Sequence, residues 1–560
     1  MSSFENRSSH RVGRHAGRRV LVLTVLVLAL PVLAVAAAVA ASWPSGGADL
    51  SNSHSNPAEE AISRDNVGQL AVKWTYTTHG DVSAIPAVVH GGVYFPDWGG
   101  YLNKVDAHTG AGIWSRPISS YTGVANDAAR AAPAVAGNTV YVGDQGSQPA
   151  SAGGGNVSAI NVTTGNLIWN TKVDTHPFAI LTSGPLVYNG VIYQGVASSE
   201  EGAAARGSYP CCTFRGSIVA VSAATGHILW KTYMVPDNGG HACTAQRPVS
   251  GCGYTGGAIW GTTPAVDPVT NTLFVTTGNN YTVPDSVKAC QAAGHPASAC
   301  LDPNDHVDSV VALDASTGAI KWATGVQGFD DWNTACIPGF GSPNNCPAGA
   351  GPDFDFGSGP NLFTVKVHGR RMLAVGAGQK SGQYWALNAA TGAVLWSQAA
   401  GPGSTLGGIE WGPATDGKRI YVAEANFFGI PYTTPSGQTI TSGSWAAIDP
   451  ATGAILWQTP DPSHNAFGGG NALGPVAVAN GVLYAPSMSG HMYALNTANG
   501  HILWDYATTG AVVTGAVVVD GTVFWGNGYT HLGIPGWGGS TTFRAFSVPG
   551  ESDNNDEGGD

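Results

Sequence analysis

The chain has 560 residues, of which 79 are glycine, 34 are proline, 17 are tryptophan and only 11% are charged. This composition is typical of one large domain built from many short strands and turns, with ample length for a hydrophobic core. The formal net charge is −12 and no cluster of Lys or Arg follows the extreme N-terminus, which excludes nucleic acid as a partner.

The N-terminal segment is a targeting signal. Arginines 11, 14, 18 and 19 precede an apolar run from Val20 to Ala41 that ends in small residues. Residues 1–42 are therefore interpreted as a signal peptide or as a membrane anchor, since about 20 apolar residues are enough to cross a bilayer. Either interpretation predicts export to the periplasm, the cell surface or the medium. At the other end, residues 549–560 are predicted to form an acidic disordered tail.

One pattern recurs seven times between these ends. A short apolar strand leads into a turn with Thr-Gly or Asn-Gly, followed by two or three further residues and a tryptophan. The copies end at Trp114, Trp169, Trp230, Trp322, Trp396, Trp457 and Trp504. Such repetition is typical of a β-propeller, in which each unit is one blade and cannot bury its faces alone.

Each repeat has a physical interpretation. The glycine supplies the positive φ of a tight hairpin, and the tryptophan is a large group that packs between neighbouring blades. Trp74 lies in a similar strand without the preceding turn, and the C-terminal strand TTFRAFSV lacks a following tryptophan. Together these two strands would complete an eighth blade. We therefore predict an all-β, eight-bladed β-propeller over residues 43–548; the alternative is an open array or sandwich of short strands.

The eight cysteines lie between residues 211 and 346, which favours an oxidising compartment. Three close pairs are predicted disulfides: Cys243 with Cys252, Cys290 with Cys300, and Cys336 with Cys346. The adjacent Cys211 and Cys212 either bond to each other or find partners elsewhere, and the local pairing of the other six favours the first. No C-x-x-C-H motif is present, so we predict no covalently attached c-type haem.

The segment SYPCCTFRGSIVAVSAATGHILWKTYM resembles the quinoprotein alcohol dehydrogenases, eight-bladed propellers that hold pyrroloquinoline quinone (PQQ) and calcium on their axis. Within that family it is most similar to the polyvinyl alcohol dehydrogenase branch, and the resemblance covers residues 43–548. It implies an enzyme that oxidises secondary alcohol groups, of polyvinyl alcohol or a polyol, and passes electrons to an external acceptor such as cytochrome c or a quinone. A lanthanide or magnesium ion is an alternative to calcium.

The resemblance also implies a set of metal ligands with hard oxygen atoms, which calcium prefers. In GVASSEEGAAARG, Glu200 matches the family's glutamate best and Glu201 is the alternative. In FVTTGNNY, Asn279 matches the family's asparagine, and Asp355 would complete the set.

Further residues match positions that hold the quinone in the family. Trp260 matches the indole beneath the ring, and Cys211-Cys212 can supply the opposite face, although methanol dehydrogenases carry their Cys pair one blade earlier. The remaining matches are Arg130 for a carboxylate, Thr182 as a hydroxyl donor, Lys380 near the reactive carbonyls, and the axial pair Glu410 and Trp411. Methanol dehydrogenases have Asn in place of this Glu.

The family's reaction needs a general base that takes the hydroxyl proton while hydride moves to the quinone. Asn333 stands where the family's Trp-Asp would place an aspartate, so Asp355 in GPDFDFGSGPNLF is the preferred base. Residues 333–352 are then a disulfide-bearing insertion, and Asp353 and Asp331 are alternatives for the base.

A second hypothesis is a non-catalytic propeller that binds protein or polysaccharide at the cell surface. The combination of the cofactor-site matches favours the dehydrogenase, because a scaffold has no need for them together.

Overall fold

A computed structural model describes residues 42–239, 243, 251–341, 343–367, 369–465 and 468–550. The predicted targeting segment and acidic tail fall almost wholly outside these residues. The described chain forms eight blades of four antiparallel strands each, and a fifth short strand extends the sheet of two of these blades. The predicted fold class is therefore confirmed.

The blades follow one another along the chain, and we number them in that order. Blade 1 comprises Ala87–Val89, Gly92–Asp97, Tyr101–Asp106 and Gly112–Pro117. Blade 2 comprises Ala134–Ala136, Thr139–Gly143, Asn156–Asn161 and Leu167–Lys172. Blade 3 comprises Leu186–Tyr188, Val191–Ser198, Ser217–Ser222 and Ile228–Tyr233, with Ala179–Ile180 paired to its long second strand. Blade 4 comprises Ala265–Asp267, Thr272–Thr276, Ser309–Asp314 and Ile320–Gly325.

Blade 5 comprises Asn361–Val367, Arg370–Gly378, Gln383–Asn388 and Val394–Ala399. Blade 6 comprises Ala414–Thr415, Ile420–Glu424, Ser444–Ile448 and Ile455–Pro460. Blade 7 comprises Ala477–Ala479, Val482–Ser487, His491–Asn496 and Ile502–Ala507. Blade 8 comprises Val517–Val519, Thr522–Gly526, Thr542–Ser547 and, from the other end of the chain, Ala71–Thr77.

Short elements occupy the connections. The helices are Ser119–Thr122, Glu200–Ala203, Asp285–Ala292 and Ala297–Cys300, with 3-10 turns at Val67–Gln69, Thr334–Cys336 and Pro343–Asn345. Small strand pairs join Thr255–Gly256 to Asn280–Thr282, Tyr432–Thr433 to Thr439–Ile440, and His464–Asn465 to Gly468–Gly469.

The repeated tryptophans dock each blade on the next. Each of these indole N–H groups donates to a backbone carbonyl of the following blade, at a turn in seven cases and just before the strand Ala71–Thr77 in the eighth, with N···O distances from 2.9 to 3.2 Å. The pairs are Trp74 to Ala107, Trp114 to Val162, Trp169 to Ala223, Trp230 to Ala315, Trp322 to Ala389, Trp396 to Pro450, Trp457 to Thr497 and Trp504 to Leu70. The last pair carries the series from blade 7 to blade 8, so the ring is complete.

The seam of the ring is the predicted one. Ala71–Thr77 pairs with Thr542–Ser547 in an antiparallel register that sets Trp74 opposite Ala545. Strands from the two ends of the propeller therefore share blade 8, which confirms the predicted closure.

The turn glycines serve the tryptophans as well as the hairpins. At Gly392, φ is +73° and an added Cβ would lie 2.6 Å from the ring of Trp322. At Gly417, φ is a similar +76°, but an added Cβ would meet no atom within 4 Å. The two positions thus separate the cost of backbone strain from the cost of displacing the indole.

We expect Gly392→Ala to destabilise the protein by about 1–3 kcal/mol more than Gly417→Ala, since only the first overpacks a blade interface. Both variants bear the cost of a side chain at positive φ, about 1 kcal/mol. Chemical denaturation of the two variants and the wild type measures the difference. Equal losses would contradict the packing role of the glycine.

One face of the ring carries an axial plug, defined as residues Trp43–Asn56. Its backbone bonds in turn to the first strands of six blades, and Ser55–Asn56 runs parallel to Ala477–Ala479. The other contacts are Trp43 with Val88, Pro44 with Val135, Leu50 with Val266, Ser51 with Leu362, Ser53 with Thr415, and His54 with Val478. The plug therefore covers the axis on this side.

Candidate active site

A cavity of about 240 Å³ lies above the plug, where loops from several blades converge. It brings together residues that are far apart in sequence. The predicted site residues in its lining are Arg130, Thr182, Trp260, Asp355, Lys380, Glu410 and Trp411. A smaller cavity, lined by Ala132 and Pro475 among others, shares Arg130, Thr182 and Trp411 with it.

Asp355 lies at one end of the cavity, held by three neighbours. The indole N–H of Trp260 donates to its Oδ2 at 2.8 Å, and the backbone N–H of Asn279 donates to its Oδ1 at 3.2 Å. Lys380 Nζ is 3.7 Å from Oδ2. The carboxylate is thus fixed in direction beside a cation, which suits a base that must meet a substrate in one pose.

Two glycines allow this close packing. A Cβ at Gly278, directly before Asn279, would lie 2.7 Å from Asp355 Oδ2. A Cβ at Gly357 would lie 2.8 Å from Glu410 Cγ and 2.9 Å from the indole of Trp260. The Thr-Gly-Asn sequence therefore has a steric reason in the site itself.

Lys380 is the cation of this end. Its Nζ donates to Asp353 Oδ1 at 3.0 Å and lies 5.2 Å from the ring centre of Trp260. Burial alone would lower the pKa of Lys380, but the carboxylates of Asp353 and Asp355 raise that pKa well above its ordinary value. The lysine is therefore charged throughout the physiological range.

Buried acidic groups outnumber this lysine. Burial raises the pKa of Glu201 to about 8, although Lys380 opposes the shift. Burial also raises the pKa of Glu410 to about 7, opposed by Lys380 and Arg130, and raises the pKa of Asp353 well above its ordinary range. This end of the cavity therefore has a surplus of carboxyl groups, which a bound cation would stabilise in their ionised form.

Arg130 lies at the other end. Its guanidinium is 4.3 Å from the ring centre of Trp411 and donates to the hydroxyl of Tyr529 at 3.1 Å. No carboxylate within the described ranges forms an ion pair with it. Trp260 and Trp411 meet edge to face, with ring centres 5.2 Å apart. This end is suited to a flat, anionic group, because it offers an unpaired cation and aromatic surface.

The two candidate glutamates have different surroundings. Glu201 lines the cavity, whereas Glu200 is fully buried outside its lining. The Glu200 carboxylate accepts hydrogen bonds from Tyr209 Oη at 2.7 Å, Thr213 N at 2.9 Å and Phe214 N at 2.8 Å. The structure therefore presents Glu201, the alternative, and not Glu200, the preferred match, to a ligand in the cavity. The physical reason is that Glu200 already has these protein donors.

Asn279 lies directly behind Asp355 and is buried. Its amide nitrogen donates to the carbonyls of Asn280 and Trp332, at 3.0 and 2.9 Å. This assigns the amide orientation, and within the part of the chain that the structure describes no group donates to its Oδ1. That oxygen has no donor among the described residues, although Asn279 itself is not among the residues that line the cavity.

All four predicted disulfides are present: Cys211–Cys212, Cys243–Cys252, Cys290–Cys300 and Cys336–Cys346. Cys211 and Cys212 are buried in a core cluster with Ala197, Ala258 and Tyr281, which do line the cavity. The adjacent disulfide thus lies within the wall of the cavity rather than in its lining.

The alternative bases are placed less favourably. Asp331 forms an ion pair with Lys288 and does not line the cavity. Asp353 is buried against Lys380, also outside the lining. Asn333 caps the 3-10 turn Thr334–Cys336 and donates to Asn345 O at 2.9 Å, as expected for the start of an insertion.

Sequence reasoning missed the apolar and aromatic part of the cavity lining, of which Leu532 is exposed at the mouth. The unpredicted lining includes Tyr281, Leu406, Leu473, Tyr529, Leu532 and Trp537. Tyr529, Leu532 and Trp537 belong to one loop after the second strand of blade 8, anchored where Thr530 donates twice to Asp81 at 2.7 Å. The aromatic, glycine-rich string GNGYTHLGIPGW could have indicated this loop, because it follows the strand Thr522–Gly526 and does not fit the repeat pattern.

The fit of a metal rests on the chemistry of these donors. Within the described ranges, no three His, Cys, Asp or Glu side chains converge as a ready-made metal centre. The candidate donors are two carboxylates, Glu201 and Asp355, and the amide oxygen of Asn279. Oxygen donors with surplus negative charge fit a hard divalent cation such as calcium. The fold and the site thus define an eight-bladed propeller whose axial cavity is lined by aromatic, cationic and carboxylate side chains.

Comparisons with known proteins show which family the chain resembles. Residues 170–335 match the family described as glucose/ethanol/alcohol dehydrogenase, beta-propeller domain. Residues 69–207, 306–440 and 441–533 match the family described as outer membrane protein assembly factor BamB.

Polyvinylalcohol dehydrogenase of Sphingopyxis sp. (strain 113P3) is 30% identical over 493 residues, covering 85% of this chain and 70% of the relative. Quinohemoprotein alcohol dehydrogenase ADH IIB of Pseudomonas putida is 24% identical, covering 94% and 80%. The chain belongs to the PQQ-dependent alcohol dehydrogenase family of oxidoreductases.

Solved structures share the fold. Quinohemoprotein alcohol dehydrogenase from Comamonas testosteroni has a TM-score of 0.66 at 20% identity, covering 91% of this chain and 81% of that chain. A europium-containing methanol dehydrogenase has a TM-score of 0.65 at 15% identity, covering 90% and 98%. No helix in the described ranges is long and apolar enough to span a membrane.

Proposed function

We propose that this protein is an exported dehydrogenase that uses PQQ and calcium to oxidise secondary alcohol groups, such as those of polyvinyl alcohol. The observation that carries the proposal is the axial cavity, which combines the oriented carboxylate of Asp355 with the cations Lys380 and Arg130. The 30% identical relative, named polyvinylalcohol dehydrogenase, supports this substrate class.

Chain residues have separate roles in this proposal. Arg130 and Thr182 would bind acidic and polar groups of the quinone, and Trp260 and Trp411 offer flat surfaces. Glu201, Asn279 and Asp355 would hold the cation, so the proposed glutamate ligand is the residue next to Glu200. Glu410 adds negative charge opposite Lys380, and Cys211–Cys212 stiffens the wall.

Asp355 acts on the substrate. Its carboxylate accepts the proton of the alcohol hydroxyl, while Lys380 stabilises the negative charge that develops beside it. When bound, PQQ supplies the acceptor for the hydride of the carbinol carbon, which protein side chains lack. With PQQ bound, the alcohol would give its hydroxyl proton to Asp355 and would leave as a ketone. An external carrier, cytochrome c or a quinone, would take the electrons.

Reconstitution tests the proposal. The purified, oxidised protein is mixed with PQQ and calcium, and dye reduction is followed with polyvinyl alcohol and small secondary alcohols. We expect reduction that requires both quinone and cation. Failure of the wild type to bind PQQ would contradict the proposal and favour a surface scaffold. Replacing calcium with magnesium or a lanthanide shows which cation supports turnover.

The mouth of the cavity predicts substrate preference. Leu532 is 50% exposed at the mouth, beside Leu406 and Trp537, whereas Leu456 is 49% exposed on the outer strand of blade 6. An apolar mouth favours alcohols with alkyl groups on both sides of the carbinol carbon, by about 0.8 kcal/mol, roughly fourfold, for each buried CH₂.

We therefore expect Leu532→Ser to flatten the rise of kcat/KM along the series 2-propanol, 2-butanol and 2-hexanol. Leu456→Ser, a change of equal exposure far from the cavity, keeps the wild-type slope. An unchanged slope in Leu532→Ser would show that the mouth does not contact the substrate.

A further inference from the structure

The buried carboxylate of Glu200 is directed at one short stretch of chain. Its donors are the hydroxyl of Tyr209 and the backbone N–H groups of Thr213 and Phe214, with Thr213 Oγ1 a further donor at 3.3 Å. These donors bracket the Cys211–Cys212 disulfide on both sides. A single carboxylate therefore closes the loop that carries the adjacent cysteines.

His176 also faces the Glu200 carboxylate. Its Nε2 lies 3.6 Å from Glu200 Oε1 and 3.0 Å from Thr213 Oγ1. Both oxygens of the Glu200 carboxylate therefore have hydrogen-bond donors within the protein, without a metal.

The same loop is braced from outside by the insertion that Cys336–Cys346 closes. The side-chain amide of Asn345 donates to the carbonyls of Ala204, Arg206 and Tyr209, at 3.0, 3.2 and 2.8 Å. Thr334 Oγ1 donates to the carbonyl of Glu201 at 2.7 Å. These contacts bind carbonyl groups of the loop, whereas the Glu200 carboxylate binds its hydroxyl and N–H groups.

We propose that Glu200 is a positioning residue that holds the Cys211–Cys212 loop against the cavity wall, and that it does not bind the cation. The wall residues Ala197, Ala258 and Tyr281 belong to the same buried core cluster as the disulfide, so release of the loop would disturb the wall of the cavity. The link to the quinone rests on the proposed function, whereas the support of the loop is a property of the protein alone.

The test compares Glu200→Gln with Glu201→Gln. An amide at position 200 offers one oxygen acceptor and puts an N–H₂ group against the donors of the loop. Hydrogen–deuterium exchange of the peptide 209–216, and alkylation of Cys211 and Cys212 by iodoacetamide in a mild phosphine reductant, report on the loop without any cofactor. We expect both to become about tenfold faster in Glu200→Gln, because a buried charge-assisted hydrogen-bond set is lost, and to stay within about twofold of the wild type in Glu201→Gln.

Reconstitution with PQQ and calcium distinguishes support of the loop from binding of the cation. We expect Glu200→Gln to weaken PQQ binding about tenfold while the calcium concentration for half-maximal reconstitution stays within about twofold. In Glu201→Gln that calcium concentration rises tenfold or more, as for loss of a ligand. Asp97→Asn, another buried carboxylate bonded to backbone and amide groups, controls for a general loss of stability. If Glu200→Gln fails to fold, Tyr209→Phe removes one donor and must accelerate exchange and alkylation in the same peptide.

Opposite results overturn the inference: a calcium defect in Glu200→Gln with wild-type exchange and alkylation would make Glu200 the ligand. Unchanged exchange in both Glu200→Gln and Tyr209→Phe would equally contradict it. If wild-type protein binds no PQQ, the proposed function fails, and the exchange and alkylation results still decide whether Glu200 supports the loop.

Discussion

Replacement of Asp355 by Asn is expected to lower kcat of the reconstituted protein by about 10²- to 10⁴-fold, the usual contribution of a general base. The amide has nearly the same shape and accepts the Trp260 hydrogen bond, but it cannot take a proton. Spectroscopic titration with PQQ checks that the quinone still binds, and steady-state dye reduction gives kcat.

Asp331→Asn is the matched control, since Asp331 is also buried and also paired with a lysine, but lies outside the cavity lining. We expect it to keep kcat within about threefold of the wild type. The assignment of the base would be wrong if Asp331→Asn lost activity and Asp355→Asn retained it.

Replacement of Lys380 by Met is expected to cost about 3–5 kcal/mol of folding free energy and to abolish turnover. The reason is that the buried carboxyl groups of Asp353 and Asp355 would lose the cation that faces both, and would have to take up protons or remain charged without a partner. Urea denaturation at neutral pH measures the loss, and dye reduction measures turnover. Lys380→Arg keeps the charge and should recover most of the stability.

Lys288→Met provides the comparison, because Lys288 pairs with buried Asp331 but is itself 21% exposed in its side chain, against 10% for Lys380. We expect a clearly smaller loss there, since water can approach the unpaired carboxylate. Equal losses of folding free energy in the two variants would mean that the additional buried carboxyl groups around Lys380 do not increase its contribution to stability.

The fold was predictable because every repeat contains the same two residues, a tryptophan and a turn glycine, that dock one blade on the next. Trp322 and Gly392 illustrate it: the indole needs a carbonyl partner and a glycine without a Cβ, so both residues recur at fixed spacing. The unpaired strand around Trp74 and the strand TTFRAFSV then predicted the seam.

The site was predictable only in part. Arg130, Asp355 and Lys380 sit in short motifs that resemble the family, and the structure brings them to one cavity. The choice between Glu200 and Glu201 depended on which way two adjacent side chains point at the start of a one-turn helix, and no sequence pattern specifies that. The loop with Leu532 lies outside the repeats, so its place over the cavity follows from tertiary packing alone.

The axial plug has a kinetic consequence. Trp43–Asn56 bonds across the first strands of six blades and covers the axis on that side. In the proposed enzyme the alcohol would therefore enter past Leu532, the exposed side chain of the cavity lining, and the ketone would leave by the same path. With a long polymer as substrate, exchange along this shared path would then limit turnover more than hydride transfer does.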